Sequence, residues 1–201
     1  MIYGINNGII NNTVINIDKF IETINPNKIY LDVDGVIWHS CQAVCDIFNK
    51  YQNLSNNAIQ GNEIMSWNFK ELNSNFTDND IESFFESECF FDFVTWIDNV
   101  KEFLYKYEDK IIIITKGSPK NIYYKMDIFN DYFAIPIIGL PFECSKGSID
   151  MQNSLLIDDC TKNLKESNAT YKIQFLEYND NKNNQREWTK NWEGFKMYHW
   201  W

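Results

Sequence analysis

No stretch of this 201-residue chain approaches the length of a membrane span, and no basic segment followed by a long apolar run opens it. Neither a membrane helix nor a signal peptide is therefore expected. The cysteines number five and lack regular spacing, which argues against a disulfide framework and for reduced thiols in a cytoplasm. Cys41 and Cys45 stand one helical turn apart, but His39 is the only imidazole near them. A zinc site needs four convergent ligands and is not expected there. Positive charge is scarce: 18 Lys and Arg against 28 Asp and Glu give a formal net charge of −10. An acidic body repels polyanions, so long nucleic acid is not an expected partner. A small anionic substrate is admitted if a metal ion and a few local cations reverse the field in a cleft. Internal repeats and low-complexity linkers are also lacking.

What is present suits one globular domain with a small insertion, since 44% of the residues are hydrophobic. Residues 1–27 form an Asn- and Ile-rich lead with no assigned structure beyond a short helix over Ile15 to Ile24. Lys28 to Val33 reads as a buried strand. His39 to Tyr51 carries Val44, Ile47, Phe48 and Tyr51 at helix spacing. Residues 52–93 are polar, rich in aromatics and poor in β-branched runs, and read as a helical insertion. Thr77 to Asp80 resembles a capping box that starts a helix through Phe84 and Phe85. An α/β rhythm then resumes: a helix over Trp96 to Tyr107, a strand over Lys110 to Thr115, and a helix from Pro119 to Phe129. Strands at Ile135 to Ile138, Leu155 to Ile157 and Tyr171 to Leu176 follow, with a short helix at Thr161 to Glu166. The tail, Asn181 to Trp201, holds four tryptophans without a clear period. Apolar strands alternating with amphipathic helices predict an α/β fold, a doubly wound parallel sheet of Rossmann-like type covered on both faces.

Ligands of such sheets bind beyond the carboxyl ends of the strands. Three predicted strands end there in polar residues: Asp32-Val33-Asp34-Gly35, Thr115-Lys116-Gly117-Ser118 and Asp158-Asp159. The loop holding Lys146 is a fourth candidate. Each piece alone has a plain reading, as a turn residue, a satisfied hydroxyl, a helix cap or a solvated lysine. Delivered by independent strands to one edge, they suit phosphate chemistry. Carboxylates gathered at one point repel each other unless a cation sits among them, and hard oxygen ligands suit Mg²⁺. A lysine and a hydroxyl complete a cradle for phosphoryl oxygens. A calcium loop at Asp32 fails on detail, because its third acidic position is Val36 and its closing Glu is Ala43.

These residues resemble the haloacid dehalogenase-like (HAD) superfamily. Asp32-Val33-Asp34-Gly35-Val36 matches its first motif, Thr115 after Ile111 to Ile114 its second, Lys146 its third, and Leu155 to Asp159 its fourth. Within it, the chain is similar to the 5′(3′)-deoxyribonucleotidase group, through Met65 to Asn68, Phe90-Phe91 and the closing Trp192 to Trp201 segment. Lys116 stands where that group more often carries a small hydroxyl residue. The resemblance implies a Mg²⁺-dependent phosphatase acting through an aspartyl-phosphate intermediate. Asp32 is implied as nucleophile and Asp34 as general acid and base. Mg²⁺ is implied to bind Asp32, Asp158 and the main-chain carbonyl of Asp34, with Asp159 behind it through water. Thr115 and Lys146, with Lys116 beside them, are implied for phosphate binding. The insertion corresponds to a cap over the site, where Trp67, Phe69, Phe90 and Phe91 are candidates to stack a nucleobase.

The expected partner is thus a small nucleotide, a nucleoside or deoxynucleoside monophosphate, in a cytoplasm. A homodimer is compatible with the sequence. The Asn- and Ile-heavy composition suggests an AT-rich genome such as a phage, and then a host cytoplasm. A phosphatase for another small ester or a nucleic-acid 3′-phosphate end, and a non-catalytic nucleotide binder, are the alternatives.

Overall fold

A computed structural model describes residues 17–52, 58–63, 77–175 and 196–198. Its centre is a six-stranded sheet. Strand β1 (Ile29–Leu31) lies between β2 (Ile111–Lys116) and β4 (Leu155–Asp158). Strand β3 (Ile137–Leu140) flanks β2, and β5 (Tyr171–Gln174) flanks β4. The order is β3-β2-β1-β4-β5-β6, with the first five parallel. Strand β6 (Lys196–Tyr198), unforeseen in a tail without periodicity, pairs antiparallel with β5. The α/β, Rossmann-like parallel architecture expected from the sequence is therefore the one observed.

Helices cover both faces because both faces of the sheet are apolar. Along β2 the side chains alternate. Ile111 and Ile113 join one core with Val100, Phe103 and Leu104 of α5 (Val100–Lys106) and Phe129 of α6 (Pro119–Asn130). Ile114 joins the other with Met151 and Leu164 of α7 (Thr161–Glu166). The short helix α1 (Ile17–Ile24) buries Ile17 and Ile21 against the first of these cores. Among the described residues no helix is long and apolar enough to cross a membrane.

The insertion is anchored by a narrow neck. Residue Trp38 pairs in an isolated antiparallel bridge with Trp96, and His39 N donates to Thr95 O at 2.9 Å. This pairing takes up Trp96, so α5 begins at Val100 rather than at Trp96 as the sequence suggested. Trp38 is fully buried and stacks on Phe129 of α6 at 5.2 Å. Beyond the neck, α2 (Ser40–Gln52), α3 (Asp78–Glu86) and α4 (Glu88–Phe93) share a separate apolar cluster. Helix α2 buries Val44, Ile47 and Phe48 with Phe90, not against the sheet. It packs with the inserted helices α3 and α4. Helix α3 starts as its sequence signalled: Thr77 Oγ1 accepts from Asp80 N at 3.1 Å, and the Asp80 carboxylate accepts from Thr77 N at 2.9 Å.

Candidate active site

The register carries three strand ends to one edge. Leu31 lies beside Ile113 on one side and Ile157 on the other. The residues that follow on these neighbouring strands, Asp32, Thr115 and Asp158, therefore emerge close together. After Asp32 the chain must turn sharply, and Gly35 adopts a φ of 71°, a left-handed conformation that side chains rarely tolerate. The turn closes when Ile37 N donates to Val33 O at 2.8 Å.

Lys146 sits among the carboxylates. It opens a 3₁₀ turn (Lys146–Ser148) and is fully buried, with Nζ 2.9 Å from Asp32 Oδ1 and 2.7 Å from Asp158 Oδ2. A Cβ on Gly147 would lie 2.2 Å from Glu166 O, so only glycine lets this turn press against the end of α7. Burial alone would depress the Lys146 ammonium. The carboxylates of Asp158 and Asp32 outweigh it, so its pKa is raised and it stays charged. Asp158, also fully buried, accepts from Cys160 N at 2.8 Å and from Asn163 Nδ2 at 3.2 Å on both oxygens.

Asp32 titrates unusually high. Burial raises its pKa from 3.8 to about 6; Lys146 opposes this, and the nearby charges of Asp158 and Asp34 add to it. A carboxylate held so unfavourably gains from any further cation. Carboxylate oxygens of Asp32, Asp158 and Asp159 lie within 4.8 Å of one another, and a hard divalent ion fits such a donor set. Asp159 contributes an oxygen to that group. The side chain of Asp34 is not in that group.

Asp34 is turned instead to a residue that the sequence reading missed. Its carboxylate forms an ion pair with Lys125, and Ser40 Oγ donates to it at 2.8 Å. Lys125 Nζ also donates to Thr115 Oγ1 at 2.9 Å. Both Lys125 and Thr115 are fully buried. Lys125 lies on α6 between Asn121 and Phe129, at four-residue spacing on the buried stripe of the helix. That placement was the available signal: a lysine on an apolar face, one helix past the Thr115 strand, must have a buried anion or acceptor.

A cleft of about 310 Å³ opens on this edge, and Asp32, Asp34, Lys116, Lys146 and Asp159 all line it. Thr115 stands behind them. The aromatic candidates fare differently. Trp67 and Phe69 lie outside the described residues. Phe90 is completely buried, 4.8 Å from the Phe85 ring in the core of the inserted helices. Phe91 wedges against Trp38 at 6.2 Å and Tyr124 at 5.0 Å. Neither lines the cleft, because both are needed to seat α4. Among the described residues, Phe85 of α3 and Phe142, after β3, are the aromatics that do line it.

At this edge Asp34, Lys125 and Thr115 lie on one side and Asp32, Lys146, Asp158 and Asp159 on the other. A divalent cation would offset the repulsion among the carboxylates of Asp32, Asp158 and Asp159. The arrangement can present one carboxylate to an electrophile, hold a second as proton carrier, and neutralise an anion between them.

Several known proteins resemble the chain. Solved structures similar to the chain include a HAD-superfamily hydrolase of subfamily IA, variant 1, from Geobacter sulfurreducens (11% identity, 71% of this chain and 81% of that chain, TM-score 0.43). A HAD family hydrolase from Deinococcus radiodurans with bound phosphate and sodium is another (11% identity, 70% and 75%, TM-score 0.45). A third is a hydrolase from Pseudomonas syringae (15% identity, 72% and 82%, TM-score 0.43). No curated protein matches the sequence. Residues 25–198, which include every strand and every charged residue of the site, match the model of the 5′ nucleotidase, deoxy (pyrimidine), cytosolic type C protein; the chain belongs to that family of HAD-like phosphatases.

Proposed function

We propose that the protein is a Mg²⁺-dependent phosphomonoesterase that removes phosphate from nucleoside or deoxynucleoside monophosphates by way of an aspartyl phosphate on Asp32. The observation that carries this reading is the Asp32 carboxylate, facing a cleft with Asp34 on the same turn and the carboxylates of Asp158 and Asp159 within ligating distance of its own. Family membership supports the nucleotide as substrate class.

In this reading an Asp32 oxygen attacks phosphorus as the bond to the ester oxygen breaks. Asp34 donates its proton to the departing alkoxide. Water then attacks the same phosphorus, Asp34 takes the water's proton, the bond to Asp32 breaks, and inorganic phosphate leaves. A divalent ion held by Asp32, Asp158 and Asp159 would supply charge neutralisation for the phosphoryl oxygens. Lys125 and Thr115 already touch each other beside Asp34. They are poised to bind a phosphoryl oxygen, and Lys146 to hold Asp32 in line. Mg²⁺ as the ion, and a cytoplasmic setting, follow the same reading.

A panel of phosphate esters, assayed with Mg²⁺ and with chelator, tests it. Metal-dependent turnover with nucleoside monophosphates ahead of sugar phosphates and 3′-phosphorylated oligonucleotides is the expected result. Preference for either of the latter would move the substrate elsewhere, and tight nucleotide binding without turnover would make the protein a binder.

A further inference from the structure

The cleft holds more positive charge than one phosphoryl position uses. Lys125 and Lys146 are committed to the reacting edge, each in contact with a carboxylate. Two further lysines, Lys116 and Lys162, also line the cleft.

Their position sets them apart from the phosphoryl cradle. Successive side chains of a strand point to opposite faces. Thr115 lies on the face of β2 where its hydroxyl meets Lys125 of α6. Lys116, the next residue, points to the face that Ile114 shares with Leu164 of α7. Lys162 is on α7 itself. Both lysines thus stand on the α7 side of the sheet, away from the Thr115–Lys125 pair.

Among the described residues, their commitments to other groups are slight: Lys162 has a long ion pair with Glu166 on its own helix, and Lys116 has none. Lys116 is half-buried, and among the described residues its ammonium makes no ion pair or hydrogen bond. A partly desolvated cation without a partner is unfavourable, and a bound anion would offset that. Lys162 lies 3.8 Å from Glu166, too far for a hydrogen bond, and its side chain is 76% exposed. Phe142, 52% exposed, flanks the same cleft and offers an apolar face to an organic body.

We propose that the preferred substrate carries a second phosphate group, which is not cleaved and which Lys116 and Lys162 hold on the α7 side of the cleft. The inference rests on the reading of the site as a phosphomonoesterase and extends its substrates from monophosphates to a bisphosphate. The second phosphate gives binding energy at a distance from the reacting one, and such energy raises kcat/KM.

The test compares a deoxynucleoside 3′,5′-bisphosphate with the matching 5′- and 3′-monophosphates, each with Mg²⁺. The native protein should favour the bisphosphate in kcat/KM by about tenfold or more, as expected for a charged hydrogen bond. Lys116→Met and Lys162→Met should each shrink that ratio, and the double variant should bring it to parity, while Lys116→Arg should retain it. Because the ratio is taken on one preparation, a misfolded fraction cancels. Calorimetric binding of the same ligands to Asp32→Asn reads the preference without turnover. A native protein indifferent to the second phosphate in both assays would overturn the proposal. So would a Lys116→Met variant that loses the same factor on both substrates, since Lys116 would then serve the reacting group. Preferential binding without any hydrolysis would keep this inference and overturn the phosphatase reading instead.

Discussion

Asp32 is unfavourably ionised in the metal-free protein, and this has a measurable consequence. Its folded pKa, about 6, lies above the ordinary 3.8. The folded state therefore binds the proton more tightly than the unfolded chain, so the associated stability is complete below about pH 4 and is lost as pH rises through about 6. Asp32→Asn is permanently neutral and escapes that loss. With chelator present, urea melts should show the variant more stable than the native protein at about pH 7.5, by on the order of 2 kcal/mol, and no advantage at about pH 4. The same variant should have no turnover. Lys125 gives a second residue-scale prediction. Its ammonium touches both Asp34 and Thr115, so Lys125→Met should lower kcat by roughly 100-fold, as loss of a preorganised donor does. An unchanged kcat would mean that the Lys125 contact has no part in the chemistry.

The inserted helices meet α6 through ring contacts and through hydrogen bonds. Asn121 of α6, buried at the cleft wall, donates through Nδ2 to Phe85 O of α3 at 2.7 Å. Asn121→Ala should remove this hydrogen bond at a cost of about 1 kcal/mol. Faster amide exchange confined to residues 78–93, with the sheet unaffected, is the expected readout. At this scale the sequence was a good guide wherever burial was uniform. The isoleucines of β2 and the Leu155 to Ile157 run are buried on both faces, and such strands read as continuous apolar segments. It was a poor guide where an element's role depends on a distant partner. Trp96 looked helical by spacing, but its place is set by Trp38, far back in the chain. Phe90 and Phe91 are equally exposed candidates on paper, and only the packing of α4 against α2 and Trp38 removes them from the cleft. Asp32, Asp34, Thr115 and Asp158 were legible because a strand end fixes where they go. Lys125 was harder to see, because only its four-residue spacing from Asn121 and Phe129 on the buried stripe of α6 sets it apart from exposed lysines such as Lys120.

For the molecule as a whole, the acidic surplus has a local counterpart. The chain carries −10, and its candidate site gathers carboxylate oxygens of Asp32, Asp158 and Asp159 within 4.8 Å of one another. An ion that binds the folded carboxylate cluster but not the unfolded chain must stabilise the fold by mass action, by about 2.7 kcal/mol at a concentration one hundred times its dissociation constant. Mg²⁺ should therefore raise the melting temperature in a concentration-dependent way, and Asp158→Asn should remove most of that rise. Monovalent salt at equal ionic strength should not reproduce it, since screening acts on exposed charges and hardly on buried ones. The most direct measurement is chemical trapping of the covalent enzyme. Protein quenched during turnover of a monophosphate and treated with borohydride should yield homoserine at position 32 by peptide mass spectrometry, dependent on substrate and metal. Turnover that proceeds with residue 32 unmodified, or with the label on another side chain, would contradict the assignment of Asp32 as the nucleophile.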